Sequence, residues 1–502
     1  MNNKKLVFII GLFVIAGLIL VSCAQPEPQT IEVIKTVVVT EVVEGEVVEV
    51  IKEVVVTEVV EVEVEVPAEV EEVSFTSPDP ETFVETRFGD IDTLDPAWNY
   101  ESFGDGFLED IYDQLVGYEG PSASDFVPEL ATSWEISDDG TVYTFQIREG
   151  VKFHEGQDLT AEDVDYSFQR GLLQGGGWSP QWLYTEAFFG TGVADVADLV
   201  DSALADDPEG LAAADPELLL AACQQVMDAV VADDAAGTVT FNLAQSWGPL
   251  LSTIAGSWGS VLDKDWAIEN GTWDGDCATW QNYYGITSGS GPIQTIANGT
   301  GPYALDHWTP GEEVALVANE NYWRTEPEFE GGPTGVARLK NVITLEVQEW
   351  GTRFAMAQAG DVDMFGVPQQ SRPQVDPLVS EVCQFVSLGV WDCQETDNPA
   401  GPFRKYNGMP ATSRADAFFT FNLNPEGNPY IGSGQLDGNG IPPNFFDDVN
   451  MRKAFNYCFD WDSLILDGMN GEGVQNYGPI NPDMIGSWTA DDPHYYYDEA
   501  KC

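Results

Sequence analysis

Aromatic and amide side chains set beside turns and glycines are the groups in this chain best suited to chemistry, and what they suit is holding a polar solute. Trp98, Asn99 and Tyr100 follow the turn-forming Asp95-Pro96; Trp178, Trp182 and Tyr184 lie in a Gly/Trp-rich stretch expected to be a loop; Asn422 and Asn424 follow the strand-like Phe418-Phe-Thr-Phe421. Rings supply contact area, while amides and backbone groups fix orientation, the combination found in ligand clefts. Each of these residues also has a reading as packing or loop anchoring. Bond-breaking chemistry is less well served. The acidic pairs Asp138/Asp139, Asp447/Asp448 and Asp491/Asp492 raise acid–base catalysis, but among 84 carboxylates such neighbours arise by chance. Adjacent strand residues point to opposite faces, so none of these pairs defines a dyad. No G-x-S-x-G elbow, P-loop or H-E-x-x-H is present. Metal binding is disfavoured because no C-x-x-C occurs and His154, His307 and His494 lie far apart. No cofactor is expected.

The elements that must position these residues are clearest from Pro128 to Phe168. Trp134 and Ile136, then Tyr143, Phe145 and Ile147, alternate with polar residues, the period of half-buried strands. Asp138-Asp139-Gly140 between them supplies a short reversal with glycine where a positive φ is easiest. A second break at Glu149-Gly150 follows, and Thr160-Ala161-Glu162-Asp163 has the spacing of a capping box opening a helix. Residues 190 to 240 read as Ala/Asp-rich helices ending in the strand Gly237 to Leu243. Strand, turn and strand run from 301 to 324 with Pro310-Gly311 at the reversal. Val342 to Val347 is a strand, and Trp350, Phe354 and Ala357 share a helical face that stops at Gly360. Met451, Ala454, Phe455 and Cys458 take the spacing of a buried helical stripe.

Met1-Asn-Asn-Lys-Lys5, an apolar run from Leu6 to Val21, and Leu20-Val-Ser-Cys23 look like a lipoprotein signal peptide spanning residues 1–22, with Cys23 the expected lipidation site. The run is short for a stable membrane span, the alternative being an uncleaved anchor helix. Residues 23–78 are a Val/Glu-rich tether in which Val33 to Val47 recurs as Val50 to Val64, thirteen of fifteen positions matching at a period of seventeen. Alternating valine and glutamate favour an extended backbone. A self-associating stalk is the bolder reading.

Net charge is −64, of which −54 falls on the residues from 79 onward. So acidic a body repels nucleic acid and anionic headgroups, which excludes both as partners. Apart from Cys23 there are six cysteines, an even number that favours disulfides outside the cytoplasm. Fifteen pairings are open; Cys383 with Cys393, which close a short loop, come first, and Cys223 with Cys277 second. A body of about 420 residues exceeds one compact core, so two lobes are expected from size alone.

Several segments resemble the family 5 extracellular solute-binding proteins, the receptors of peptide, opine and nickel ABC importers. They are Thr93-Leu-Asp-Pro-Ala97, Pro128-Glu-Leu-Ala-Thr-Ser-Trp134, Ser137-Asp-Asp-Gly140, Tyr143-Thr-Phe145, Arg148-Glu-Gly-Val-Lys-Phe153, Leu159-Thr-Ala-Glu-Asp-Val164, Gly299-Thr-Gly-Pro-Tyr303, Asn319-Glu-Asn-Tyr-Trp323, Gln358-Ala-Gly-Asp-Val-Asp363 and Val449 to Asp460. The resemblance implies an α/β, two-lobed, type II periplasmic-binding-protein-like fold with an inserted subdomain in lobe I. Residues 79–344 would form lobe I in two subdomains and 345–502 part of lobe II. It places Trp98 to Tyr100 beside the cleft and gives His154 a structural turn role. The family's pattern continues past the segment matched by Tyr497 to Lys501, so the second lobe reads as incomplete. The acidic residue that pairs with a peptide's amino terminus in peptide-binding members has no counterpart here. The implied function is a non-enzymatic, monomeric, lipid-anchored receptor on the outer face of the cytoplasmic membrane, capturing oligopeptides for ABC permease subunits. Alternatives are a receptor for an opine, sugar or metal complex, and a surface structural or adhesion lipoprotein.

Overall fold

The computed structural model describes residues 77–502, apart from 177–178, 287, 388, 410–427, 429, 433–438, 472 and 483, together with the backbone of 33–43 and 46–56. The signal segment, Cys23, Trp178, Asn422 and Asn424 lie outside the described residues. The chain divides into two compact units, residues 1–71 and 72–502. In the first, strands β1 (Val33–Val43) and β2 (Glu46–Val56) pair antiparallel from Val33↔Val56 to Val43↔Glu46. They flank Glu44-Gly45, and the second copy of the repeat has Val62 where the first has Gly45.

The larger unit is built from mixed sheets with helices against them. Along the chain come β3 (Thr82–Arg87), α1 (Ser102–Ile111), β4 (Val116–Tyr118), β5 (Phe126–Pro128), β6 (Ala131–Ile136) and β7 (Val142–Ile147). Then follow α2 (Ala161–Gln174), α3 (Trp182–Phe189), α4 (Pro216–Ala229), β8 (Val230–Asp233), β9 (Thr238–Asn242), β10 (Tyr303–Thr309), β11 (Glu313–Ala318) and β12 (Asn341–Glu346). After α5 (Trp350–Ala359) come β13 (Met364–Phe365), β14 (Val379–Ser387), β15 (Val390–Glu395), β16 (Phe403–Asn407) and α6 (Val449–Cys458), with short helical turns in between.

One sheet has the order β6-β7-β9-β8. The turn between β6 and β7 is specified as its sequence implies: Gly140 has φ +70°, and Asp139 Oδ1 accepts from Ser137 Oγ and Thr141 Oγ1. Tyr143, Phe145 and Ile147 point into the core, but Ile136 is exposed and Trp134 half-buried. Strand β6 is an edge strand whose register shifts between Ala131 and Ser133, so its alternating pattern is only partly covered. Phe145, Phe168 and Phe241 meet edge to face at 4.8–5.2 Å, joining β7, α2 and β9. The capping box that opens α2 is present: Thr160 N and Oγ1 both donate to Asp163 Oδ2, at 2.8 and 2.7 Å.

The central sheet has the order β10-β11-β12-β3-β13. Strands β10, β11 and β12 are antiparallel, whereas β12 and β13 both run parallel to β3, so β12, α5 and β13 form a crossover over β3. The next strands form a separate sheet, β15-β14-β16. Cys383 and Cys393 stand directly opposite on β14 and β15 and are bonded. Cys223 is bonded to Cys277, and Cys458 to Cys502. The apolar stripe on α6 is not buried; Phe455 and Cys458 are exposed, and Met451 and Ala454 only half-covered, because no described element packs fully over that face.

Gly299-Thr-Gly301 shows why a run of small residues is needed. A Cβ on Gly299 would stand 2.1 Å from the Ile111 carbonyl oxygen, and one on Gly301 2.5 Å from that of Asp110. The close approach lets Gly301 N donate to Ile111 O at 2.9 Å and Thr300 Oγ1 to Asp113 Oδ2 at 2.7 Å. His154 belongs to the same joint, its Nε2 3.1 Å from Gly301 O and its backbone N donating to Gly299 O. Burial pushes its imidazole below the ordinary value.

Candidate functional site

After β3 the chain runs to α1 as an irregular loop, and a buried ion pair fixes its course. Arg170 on α2 donates from Nη1 and Nη2 to the two oxygens of Asp95, at 2.9 and 2.6 Å, and both side chains are 1 % exposed. Asp95 Oδ1 also accepts from Ala97 N, while its carbonyl accepts from Trp98 N and Asn99 N. The two-pronged geometry and the extra backbone donor satisfy the carboxylate, the condition under which a buried pair is tolerated. The consequence is a rigid Asp-Pro turn delivering Trp98, Asn99 and Tyr100.

These three residues do different things. Tyr100 is half exposed, its ring 6.2 Å from that of Trp182 and 5.6 Å from that of Trp258. Trp182, also half exposed, is the first residue of α3 and not part of a loop as the sequence implied. Trp258 comes from a third segment, and its Nε1 donates to Asn99 O at 2.9 Å. Asn99, expected as a ligand contact, is fully buried; its Nδ2 donates to Asp105 Oδ1 at 3.1 Å, where Ser257 Oγ also donates at 2.7 Å. It thus ties the 257–259 turn to the loop. Burial holds the Asp105 carboxyl above its usual range, against the pull of Ser257. Trp98 is buried as well, and its Nε1 has no hydrogen-bond partner among the described residues.

Tyr184 is a core residue and not a contact residue. Two positions after Trp182 on a helix it faces inward, its ring against Phe168 and Phe188 and its hydroxyl donating to Thr253 O. Trp258 escaped the sequence reading; the available signal was its setting in Gly256-Ser-Trp-Gly259, an aromatic beside glycines, as Trp178 is after Gly175-Gly-Gly177. What remains is a ledge of three rings drawn from three segments, the half-exposed Tyr100 and Trp182 and the partly buried Trp258, anchored beneath by Asn99, Asp105 and the Asp95–Arg170 pair.

The acidic pairs have local structural tasks. Asp139 stabilises the β6–β7 turn, Asp448 caps α6 by accepting from Asn450 N at 2.8 Å, and Asp492 accepts from Thr489 N at 2.8 Å. Among the described residues, metal-ligand spacing occurs at Glu381, Cys383 and Cys393. There the two cysteines are bonded to each other and Glu381 pairs with Arg404. Among the described residues no helix is long and apolar enough to cross a membrane.

Heme-binding protein A of Haemophilus influenzae is 27 % identical over 405 residues, covering 78 % of this chain and 55 % of that protein. The dipeptide-binding protein of Escherichia coli is 24 % identical over 410 residues, again 78 % of this chain and 56 % of that protein. The chain therefore spans little more than half the length of these relatives. Among solved structures, the DppA periplasmic binding protein of Helicobacter pylori in complex with the peptide STSA superposes with a TM-score of 0.51 at 21 % identity, over 84 % of this chain and 64 % of that one, a likeness of α/β fold. The family model described as bacterial extracellular solute-binding proteins, family 5 middle, matches residues 125–502. Since that match takes in most of the chain, the protein belongs to the family 5 bacterial extracellular solute-binding proteins.

Proposed function

We propose that this protein is the receptor of an ABC importer, that it captures oligopeptides, and that the Tyr100, Trp182 and Trp258 ledge forms one wall of the ligand site. The observation that carries the reading is the ledge itself: two half-exposed rings touching each other, Tyr100 on a loop clamped by a buried ion pair and Trp182 at the start of α3. Large apolar rings held in place before binding lose little freedom when a ligand covers them, so contact area converts efficiently into affinity. A relative that binds dipeptides and a fold neighbour holding a bound peptide favour the peptide among the family's solutes.

In this reading residues 79–344 form a first lobe and 345–502 contribute to a second. The β12–α5–β13 crossover ties the start of the second to the central sheet of the first. Ligand that touches both lobes only when they are closed shifts the population toward closure by that differential affinity, and the permease recognises the closed form. Lipidation at Cys23 after removal of residues 1–22 would hold the receptor at the membrane, each buried methylene contributing about 0.8 kcal/mol. The Val/Glu segment 23–78 would act as the tether that keeps its concentration near the permease high.

Thermal unfolding and small-angle scattering of the full chain with oligopeptide pools, and separately with haemin, test the proposal. Peptide should raise Tm and reduce the radius of gyration, and Trp182→Ala should weaken binding roughly tenfold or more, as for a buried aromatic anchor. If haemin alone moves either quantity, the peptide reading falls and the receptor reading stands. If no peptide, haemin, opine, sugar or metal complex moves either, the receptor reading falls too.

A further inference from the structure

The amino-terminal hairpin contains two copies of one heptapeptide. Val33-Ile-Lys-Thr-Val-Val-Val39 on β1 and Val50-Ile-Lys-Glu-Val-Val-Val56 on β2 agree at six of seven positions. The two copies pair with each other, antiparallel, from Val33↔Val56 through Thr36↔Glu53 to Val39↔Val50. The heptapeptide is therefore complementary to its own reverse. A sheet of two strands also leaves one edge of each strand able to take another, and among the described residues no third strand joins it. Two strands alone are marginally stable in water, and an edge rich in β-branched residues is a template for a further chain.

The register shows which edge suits such a partner. Within the hairpin Lys35 stands opposite Val54 and Glu41 opposite Val48, so neither meets an opposite charge across the ladder. Setting β1 antiparallel to a second copy of itself, centred on Val38, gives every one of its 11 residues a partner. Val33 then meets the partner's Val43, Ile34 its Val42, Lys35 its Glu41, Thr36 its Thr40 and Val37 its Val39, and the symmetry repeats each match. Opposite charges, paired threonines and paired β-branched residues are the neighbours that stabilise a sheet. The same operation on β2, centred on Ile51, sets Glu49 against the partner's Glu53 twice over, and like charges directly opposite are destabilising.

We propose that the outer edge of β1 is a pairing surface for a second copy of this chain, forming a four-stranded sheet in the order β2-β1-β1-β2 about a two-fold axis at Val38. A two-fold contact uses the same edge of both copies and so closes on itself, and the glutamates of β2 keep the two outer edges from extending the sheet. Each hairpin joins the rest of its chain at the Val33/Val56 end. In the antiparallel pair those ends lie roughly 35 Å apart, at opposite ends of the sheet, so the two chains do not crowd each other.

Sedimentation velocity of the full chain in about 0.15 M NaCl provides the test, because that ionic strength screens the diffuse repulsion between two chains of charge −64 but not contacts at strand-pairing distance. A concentration-dependent dimer is expected. Lys35→Glu or Glu41→Lys alone sets like charges opposite each other at two places and should weaken the dimer roughly tenfold, whereas the two changes together restore the match and the affinity. Val38→Cys should yield a disulfide-linked dimer on mild oxidation, since identical residues on the axis stand within bridging distance, and Ile51→Cys should give no more than the parent chain. Trp182→Ala should leave the dimer intact, so this surface and the ligand ledge fail separately. A chain that stays monomeric, a dimer indifferent to both charge changes, a double variant no better than the single ones, or assembly that continues past the dimer would each overturn the proposal.

Discussion

Asp95 and Arg170 show at the scale of single residues how a buried charge pair fixes the course of a loop. Removing one partner strands the other in the interior, so Asp95→Ala should cost roughly 3–5 kcal/mol, read as a lower urea midpoint. The double change Asp95→Leu with Arg170→Met removes both charges and should restore much of that loss. If the double variant instead loses as much as the sum of the single ones, the pair does not act as a mutually neutralising clamp. Either single change should also loosen Tyr100 and weaken ligand binding. Residue by residue, the ledge was half legible in the sequence. Tyr100 and Trp182 stand out as rings beside turn formers, but whether a ring faces solvent depends on what packs over it. Trp98 and Tyr184 read the same way in one dimension and are buried in three.

Elements were read most accurately where the signal is local. The β6–β7 hairpin and the capped start of α2 are written in turn residues and side-chain caps that need no distant partner. The stripe on α6 was misread because burial of a helical face is decided by other elements. Disulfides fall between these cases: the pairing of Cys383 with Cys393 follows from a short loop, whereas Cys223 with Cys277 joins α4 to a segment 54 residues on. In the chain-entropy account the longer loop matters more, with about 4 kcal/mol for the 54-residue separation against about 3 kcal/mol for the 10-residue one. Cys223 and Cys383 are both fully buried, so the space opened by replacing either is alike and the loop length decides. Cys223→Ala with Cys277→Ala should therefore lower Tm more than Cys383→Ala with Cys393→Ala; equal losses would show that the unfolded chain does not behave as that account requires. Gly299→Ala should be nearly as damaging as a lost disulfide, because the new methyl meets a backbone carbonyl that cannot swing aside.

At the scale of the whole molecule, the excess of carboxylates makes stability a function of pH with a definite sign. Burial, and the nearby Asp113 charge, push Glu129 up to about 7 in spite of Arg324 2.7 Å away, and burial pushes Asp110 up to about 6 despite Arg87. Both are raised above unfolded values near 4. Groups of this kind contribute stability that is fully present below the unfolded value and is lost as pH rises through the folded one. Exposed caps behave oppositely: Asp139, Glu349 and Asp460 are held low by hydrogen bonds from neighbouring N–H and hydroxyl groups, so their contribution disappears as pH falls below about 4. Stability should accordingly peak between roughly pH 4 and 6 and decline toward pH 8. A net charge of −64 adds self-repulsion in the same direction, but repulsion between surface charges is screened by salt and the desolvation of a buried carboxylate is not. Urea unfolding at pH 5 and pH 7.5, with and without 0.5 M NaCl, separates the two causes: salt should narrow the difference without closing it. Glu129→Gln, which keeps the shape of the neutral acid, should flatten the remaining slope by on the order of 2 kcal/mol between those pH values. A gap that vanishes entirely in salt, or a slope indifferent to Glu129→Gln, would assign the pH response to the surface and remove the buried carboxylates from the account.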